Sequence, residues 1–172
     1  MIIHQTKRLQ LHAWDLADFE AFAALARDPK VMRYIAEGTP WPDSRIGWFL
    51  GLQNAYQTTL GYCHWKMVSR PSGALIGTCG LAPLAGFDAP EIGWWLDPSH
   101  WGQGYAQEAA VLVLQEAFEK HEFNRVVARS YDTNLRSVSL LGKLGFTLER
   151  SLKNNVIGTV DLFVLQRDDW SP

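Results

Sequence analysis

The segment from Glu91 to Ser130 restricts this chain more than any other. Glu91–Leu96 reads as a strand, which Pro98 stops because proline cannot donate to a ladder. A helix then runs from about Gly104 to His121, with Ala106, Ala109, Ala110, Val113, Ala117 and Phe118 among its apolar residues. Arg125–Ser130 reads as a strand again. A strand, a long helix and a second strand in that order imply one right-handed crossover between parallel strands.

The rest of the chain surrounds this unit with elements joined by short turns. Arg8–Ala13 reads as a strand, and Asp15 as the cap of a helix over Leu16–Ala26. Asp28-Pro29 breaks that helix and starts a short turn through Val31 and Met32. After the loop Gly38–Pro42, Asp43 or Ser44 caps a helix carrying Ile46, Phe49, Leu50 and Gln53, which ends near Gly61. Strands follow at Cys63–Ser69 and Ala74–Ala82, with Pro71-Ser72-Gly73 as the hairpin turn. A helix at Leu135–Leu144 and strands at Phe146–Leu152 and Val160–Leu165 close the chain. The expected class is α+β: a mixed, mostly antiparallel central sheet with flanking helices and one parallel crossover, in a single domain over residues 1–172.

Composition narrows the function. With 172 residues, 47% of them hydrophobic, the chain can bury a core without disulfides or metal. A formal net charge of −2 provides no general basic field for nucleic acid. The longest aliphatic run, Ala109–Leu114, is too short to cross a bilayer, and the opening MIIHQTKRLQLHAW lacks the apolar core of a signal peptide. Cys63 and Cys79 are expected as buried free thiols rather than a disulfide, since nothing suggests secretion. These features point to a cytoplasmic protein without a membrane or nucleic-acid partner.

The chemistry is concentrated where the first strand of the crossover meets its helix. Gly102 and Gly104 lack a Cβ, so the backbone can turn sharply and approach a ligand closely. The first amides of the following helix have no intrahelical partner and carry the positive end of its dipole, which suits a pyrophosphate. Two common phosphate motifs do not fit. A P-loop ends Gly-Lys-Ser/Thr, whereas Tyr105-Ala106 follows Gly104, and Gly142-Lys143 is followed by Leu144. The dinucleotide fingerprint needs Gly or Ala where Gln107 stands, and an acidic residue closing the second strand, whereas Glu122 precedes it. Alone, the glycine turn is equally consistent with a plain tight turn before a buried helix.

A second stretch, Asn134-Leu-Arg-Ser-Val-Ser-Leu-Leu-Gly-Lys-Leu-Gly-Phe146, changes that balance. Together with Trp101-Gly-Gln-Gly-Tyr-Ala106, it resembles the GCN5-related N-acetyltransferase (GNAT) superfamily. Members carry Gln/Arg-x-x-Gly-x-Gly/Ala and, downstream, Asn-x-x-Ala/Ser with Lys-x-Gly-Phe some ten residues later. The Trp-Gly-x-Gly-Tyr-Ala form, Asn-x-x-Ser, the opening Thr6-Lys-Arg-Leu and the closing Arg167-Asp-Asp-Trp170 are similar to the RimJ/RimL branch of ribosomal-protein N-terminal acetyltransferases. The resemblance spans nearly the whole chain. It implies transfer of acetyl from acetyl-CoA to a primary amine, by direct attack through a tetrahedral intermediate, without a metal. The amine is either a protein N-terminus or a small molecule, and a homodimer is a family expectation.

Site residues follow from the same resemblance. The backbone of Gly102, Gln103, Gly104, Tyr105 and Ala106 would bind the pyrophosphate. The strand edge at Trp95 and Leu96 would hold the pantetheine and aim an amide at the thioester oxygen, and Asn134 would bond the pantetheine arm or its water. Trp101 departs from the superfamily's Gln or Arg but agrees with this branch, and either contacts ligand or only packs. Many members carry a Tyr that protonates the departing thiolate. Leu141 stands there in this chain, leaving Ser137 to contact the sulfur or merely to pack. A thiol with a pKa of ~8.5 needs little acid help to leave. Glu91 is the candidate base, acting through a water, or else a solvated strand-end carboxylate; Asp88 and Asp97 are weaker alternatives. His64, His100 and His121 form no metal or triad pattern. The missing Tyr and doubtful base keep a second reading open, a CoA-binding module without catalysis.

Overall fold

The structure is a computed structural model that describes residues 1–155 and 157–171. Among the described residues there are eight strands, β1 (Ile2–Gln5), β2 (Leu9–His12), β3 (His64–Ser69), β4 (Leu75–Pro83), β5 (Pro90–Leu96), β6 (Arg125–Tyr131), β7 (Thr147–Asn155) and β8 (Gly158–Gln166). They lie in the order β1-β2-β3-β4-β5-β6-β8-β7. The pairs β1/β2, β2/β3, β3/β4, β6/β8 and β7/β8 are antiparallel, and β5/β6 is parallel, with Glu91 opposite Val127. This is the mixed sheet with one parallel crossover expected from the order of elements. Its helices are α1 (Phe19–Ala26), α2 (Pro29–Met32), α3 (Asp43–Leu60), α4 (Tyr105–Gln115) and α5 (Leu135–Lys143). None of the helices among the described residues is long and apolar enough to cross a membrane.

The chain gathers into two compact units that interleave in sequence, Met1–Gly80 with Trp94–Ala110, and Leu81–Gly93 with Val111 to the C-terminus. In the first unit the period-two pattern decides the faces. Leu9 and Leu11 of β2, and Trp65, Met67 and Ser69 of β3, point inward, while Gln10, His12, Lys66 and Val68 stay half-exposed. Helix α3 buries Ile46, Phe49, Leu50 and Gln53, the helical spacing read from sequence. Its buried amide is satisfied, because Gln53 Oε1 accepts from the His64 amide at 2.9 Å. Phe22 of α1 stacks on Phe49 at 5.0 Å and on Trp95 of β5 at 5.5 Å, so the aromatic centre of this core reaches the strand that leads to the glycine turn.

The second unit is built on β6, β8 and β7. Ala89, Val127 and Leu162 form a buried cluster against which Leu84, Phe87 and Val164 pack. The crossover helix ends here: α4 gives way at Gln115 to a π-helical turn over Glu116–Lys120, with Ala117 and Phe118 buried. The Arg167 guanidinium donates to the Phe118 carbonyl, and the Trp170 ring lies 5.4 Å from that of Phe118, tying the C-terminal turn down.

Several sequence expectations need correction at their edges. The chain begins with a strand, β1, that polar interruptions hide; its Ile2 is half-exposed, so no apolar alternation marks it. Asp15 does accept from the Ala17 amide at 2.9 Å, but it opens a 3₁₀ turn, Leu16–Asp18, before α1. Neither Asp43 nor Ser44 caps α3: Pro42 is the N-cap residue, with extended backbone and no side-chain cap bond. Asp43 is instead drawn to Arg27 at 2.5 Å. Cys63 and Cys79 are both buried and free, as expected.

Candidate active site

The glycine turn lies within the first unit and is assembled by a series of short local bonds. The last strand bond at the end of β5 runs from the Asp97 amide to the Ile76 carbonyl at 2.8 Å. The Asp97 carboxylate then accepts from the Ser99 amide at 2.8 Å and from the Ser99 hydroxyl, capping a single 3₁₀ turn over Pro98–His100. Burial pushes the Asp97 carboxyl up, but these bonds and His100 outweigh it, and its pKa ends below the ordinary value. Asp97 is therefore a turn-building carboxylate. The Trp101 indole donates to the Leu96 carbonyl at 2.8 Å and folds the loop back on the strand. That bond engages the indole N–H inside the turn and leaves the ring face for packing or for a ligand.

Beyond Trp101 the backbone alternates. Gly102 has φ +73° and Gly104 φ +82°, in the left-handed region that disfavours residues with a Cβ, and Gln103 between them is not in that region. Such alternation turns successive N–H groups into a concave nest for an anion. The first backbone bond of α4 runs from the Glu108 amide to the Gly104 carbonyl at 3.0 Å, so the amides of Tyr105, Ala106 and Gln107 precede the intrahelical ladder. Tyr105 is buried and Ala106 half-buried, while Gly102, Gln103 and Gly104 are exposed. The chain thus offers two glycine-shaped turns, free helix amides and a positive dipole end at one accessible spot.

Trp95 and Leu96 lie in the same unit. Leu96 is buried, and the half-buried Trp95 ring sits in the aromatic nest, 5.2 Å from Phe49 and 5.0 Å from Trp41. Trp41, from the loop before α3, is buried, and its indole Nε1 has no hydrogen-bond partner among the described residues. The Arg45 guanidinium lies 4.5 Å over the Trp41 ring.

Glu91, Asn134 and Ser137 belong to the second unit. Both Glu91 oxygens are engaged by Arg129, at 2.7 Å from Nε and 2.9 Å from Nη2. Asn134 is the N-cap of α5, and its Oδ1 accepts from the Ser137 amide at 3.4 Å. The Asn-x-x-Ser spacing therefore has a local structural meaning, since residues three apart at a helix start bring a cap oxygen to the N3 amide. Ser137 is half-buried, and Leu141 is fully buried. Asp88 is exposed and paired with Arg125 at 2.5 Å, which holds its carboxyl below the usual range.

Sequence reasoning missed three residues around the turn. Arg8 donates from Nε to Glu108 at 2.7 Å and from Nη1 to the Gln103 carbonyl at 2.9 Å, and the Thr6 hydroxyl donates to Glu108. Thr6 and Arg8 were visible only as part of the Thr-Lys-Arg-Leu opening. A partner some 100 residues away leaves no local trace.

Residues 8–147 match the family model described as an acetyltransferase (GNAT) domain. The chain belongs to the GNAT acetyltransferase family. It is 31% identical over 153 residues to the uncharacterized N-acetyltransferase YoaA of Bacillus subtilis, covering 88% of this chain and 86% of that protein. Over 63 residues, 37% of this chain and 35% of the relative, it is 36% identical to the ribosomal-protein-serine acetyltransferase of Escherichia coli. Among solved structures, RimL, the ribosomal L7/L12 α-N-protein acetyltransferase in complex with coenzyme A, superposes with a TM-score of 0.82 over 96% of this chain and 98% of that one. At 18% identity that likeness speaks for the fold. The GNAT family and the resemblance to its Rim branch, read from the two motifs, thus stand beside the geometry of the turn.

Proposed function

We propose that this GNAT protein transfers acetyl from acetyl-CoA to a weakly basic primary amine, with a polypeptide α-amine as the first candidate. The observation that carries this reading is the nest of amides from Gly102 to Ala106 at the head of α4, shaped for a pyrophosphate. The amine attacks the thioester carbonyl carbon and forms the C–N bond. An amide at the β5 edge, at Trp95 or Leu96, stabilises the oxyanion as the tetrahedral intermediate forms. Glu91 takes the acceptor ammonium's proton through a water before the attack, and collapse breaks the C–S bond and releases the thiolate, which takes up the amine's remaining surplus proton. Asn134 steadies the pantetheine arm, and Ser137 meets the departing sulfur. Thiolate release is undemanding at a pKa of ~8.5.

Acceptor basicity supports an α-amine. At pH 7 about a tenth of an amine with a pKa of ~8 is already free base, against about 0.04% of a lysine ε-amine. A carboxylate committed to Arg129 serves the first far better than the second. The free buried thiols of Cys63 and Cys79 suit the reducing cytoplasm.

Buried Leu141 in place of an acid, together with the Glu91–Arg129 pair, favours one rival reading, a CoA-binding module without turnover. One screen separates the two: acetyl transfer from acetyl-CoA to N-terminal peptides, amino acids, polyamines and aminoglycosides. Steady turnover with any amine supports the enzyme. Tight coenzyme A binding with no acceptor used supports the module. Heat protection by NAD or ATP but not by coenzyme A would overturn both.

A further inference from the structure

Glu108 places a carboxylate in the first turn of α4, beside the nest of Gly102 and Gly104. A carboxylate there suits the helix dipole but opposes any anion bound at the same end. The fold answers it with a built contact inside the first unit. Arg8, just before β2, sets Nε 2.7 Å and Nη2 2.5 Å from Glu108 Oε2, while the Thr6 hydroxyl donates to Oε1. Arg8 Nη1 holds the Gln103 carbonyl at 2.9 Å, and its Cζ lies 4.5 Å over the Tyr105 ring. A Cβ placed on Gly104 would lie 3.4 Å from Nη2, so the guanidinium stands directly against the left-handed glycine of the turn. The Arg8 side chain remains 44% exposed, and a guanidinium has five N–H donors, so it can still face a ligand.

We propose that Arg8 is a positioning residue for the acetyl-CoA pyrophosphate, cancelling the Glu108 charge and fixing the Gln103–Tyr105 backbone so that the phosphates meet a cation rather than a carboxylate. This inference rests on the acetyl-CoA reading given above. It predicts opposite signs for two single substitutions. Arg8→Met leaves Glu108 uncompensated and weakens binding, whereas Glu108→Gln leaves Arg8 uncompensated and strengthens it. A merely structural ion pair predicts a loss from both.

The test is calorimetric titration of coenzyme A into native protein, R8M, E108Q and the R8M/E108Q double variant at low and high salt, with KM and kcat for acetyl-CoA and for S-acetylpantetheine, which lacks the phosphates. R8M is expected to raise the coenzyme A Kd roughly tenfold at low salt and less at high salt. E108Q is expected to lower Kd by roughly threefold, and the double variant to return within about threefold of native. The R8M increase in KM should be far larger for acetyl-CoA than for S-acetylpantetheine, with kcat largely kept. Where R8M does not fold, the sign of the E108Q effect decides. Weakening by both single variants, no change in either, or equal KM increases for the two donors would overturn the proposal while leaving acetyl-CoA use intact. No coenzyme A binding by the native protein would overturn the acetyl-CoA reading and the role of Arg8 with it.

Discussion

Arg129 of β6 grips Glu91 of β5 at two points, Nε to one carboxylate oxygen at 2.7 Å and Nη2 to the other at 2.9 Å. Val127 is the strand partner of Glu91, and Arg129 lies two residues further on, on the same face of β6. The pair raises the pKa of Arg129, chiefly through the hydrogen bonds to Glu91. It occupies one lone pair on each carboxylate oxygen and leaves others able to accept from a water. Glu91 is therefore a carboxylate held in one orientation, as the proposed base would need to be.

That geometry sets a pH signature for Glu91→Gln. Proton removal matters most where the amine is protonated, so the loss in kcat/KM with an α-amine acceptor should be about 10- to 100-fold near pH 6.5. It should shrink toward pH 9, where most of the acceptor is already free base. A pH–rate profile of both proteins checks this. A loss equal at every pH would assign Glu91 to holding β5 against β6 instead.

Gly104→Val tests the anion nest. At φ +82° a β-branched residue costs about 1–3 kcal/mol, and the new Cβ also approaches Arg8. The KM for acetyl-CoA is expected to rise at least about tenfold, and the heat protection that coenzyme A is expected to give the native protein should be lost in the variant. An unchanged KM would remove the phosphate site from this turn.

The two thiols give an alkaline prediction. Burial pushes the Cys63 thiol up to about 12, and that of Cys79 is raised as well. A raised folded pKa means the native state keeps a proton that the unfolded chain releases. This stabilisation is complete below the ordinary thiol value of 9.0 and is lost as pH climbs toward about 12. The urea midpoint should therefore fall between pH 8 and pH 11. At pH 8 a thiol reagent should label neither cysteine in native protein and both after unfolding.

What could be read from the sequence was what is local. Gly102 and Gly104 and Pro98 act within a few residues, so the turn and the strand end were visible, whereas Asn134 was noticed only as part of a motif and its role as the α5 cap was not read. The break and new turn at Asp28-Pro29 were visible for the same reason as the glycine turn, and in the structure the Asp28 side chain accepts from the Lys30 amide at 2.7 Å. Residues that act across the fold were not. Arg8 and Glu108 are 100 positions apart, and the Glu91–Arg129 pair depends on the strand register that the crossover sets. Asp43 misled because an acidic residue at a helix start usually caps, whereas here Arg27 draws the carboxylate outward and extended Pro42 takes the cap position. Trp95 and Trp41 carried no periodic signal separating core from site, and the structure places both in one aromatic nest.

Gly77 and Gly51 make the last prediction a matter of sign. In β4, a Cβ on Gly77 would overlap the Trp95 carbonyl oxygen and lie 3.1 Å from both Cα and Cδ1 of Leu96. Gly77→Ala must therefore push away the part of β5 proposed to hold the pantetheine. It should destabilise the protein by about 1–3 kcal/mol and raise the acetyl-CoA KM as well. Gly51 is exposed on α3, with nothing within 4 Å of the place a Cβ would take. Gly51→Ala should stabilise by about 0.5–1 kcal/mol, since alanine loses less backbone entropy in a helix, and should leave KM alone. Thermal melts and acetyl-CoA kinetics on both variants check the pair. A Gly77→Ala protein with native stability and native KM would mean that β5 yields there without consequence, and that the Trp95–Leu96 edge does not position the substrate.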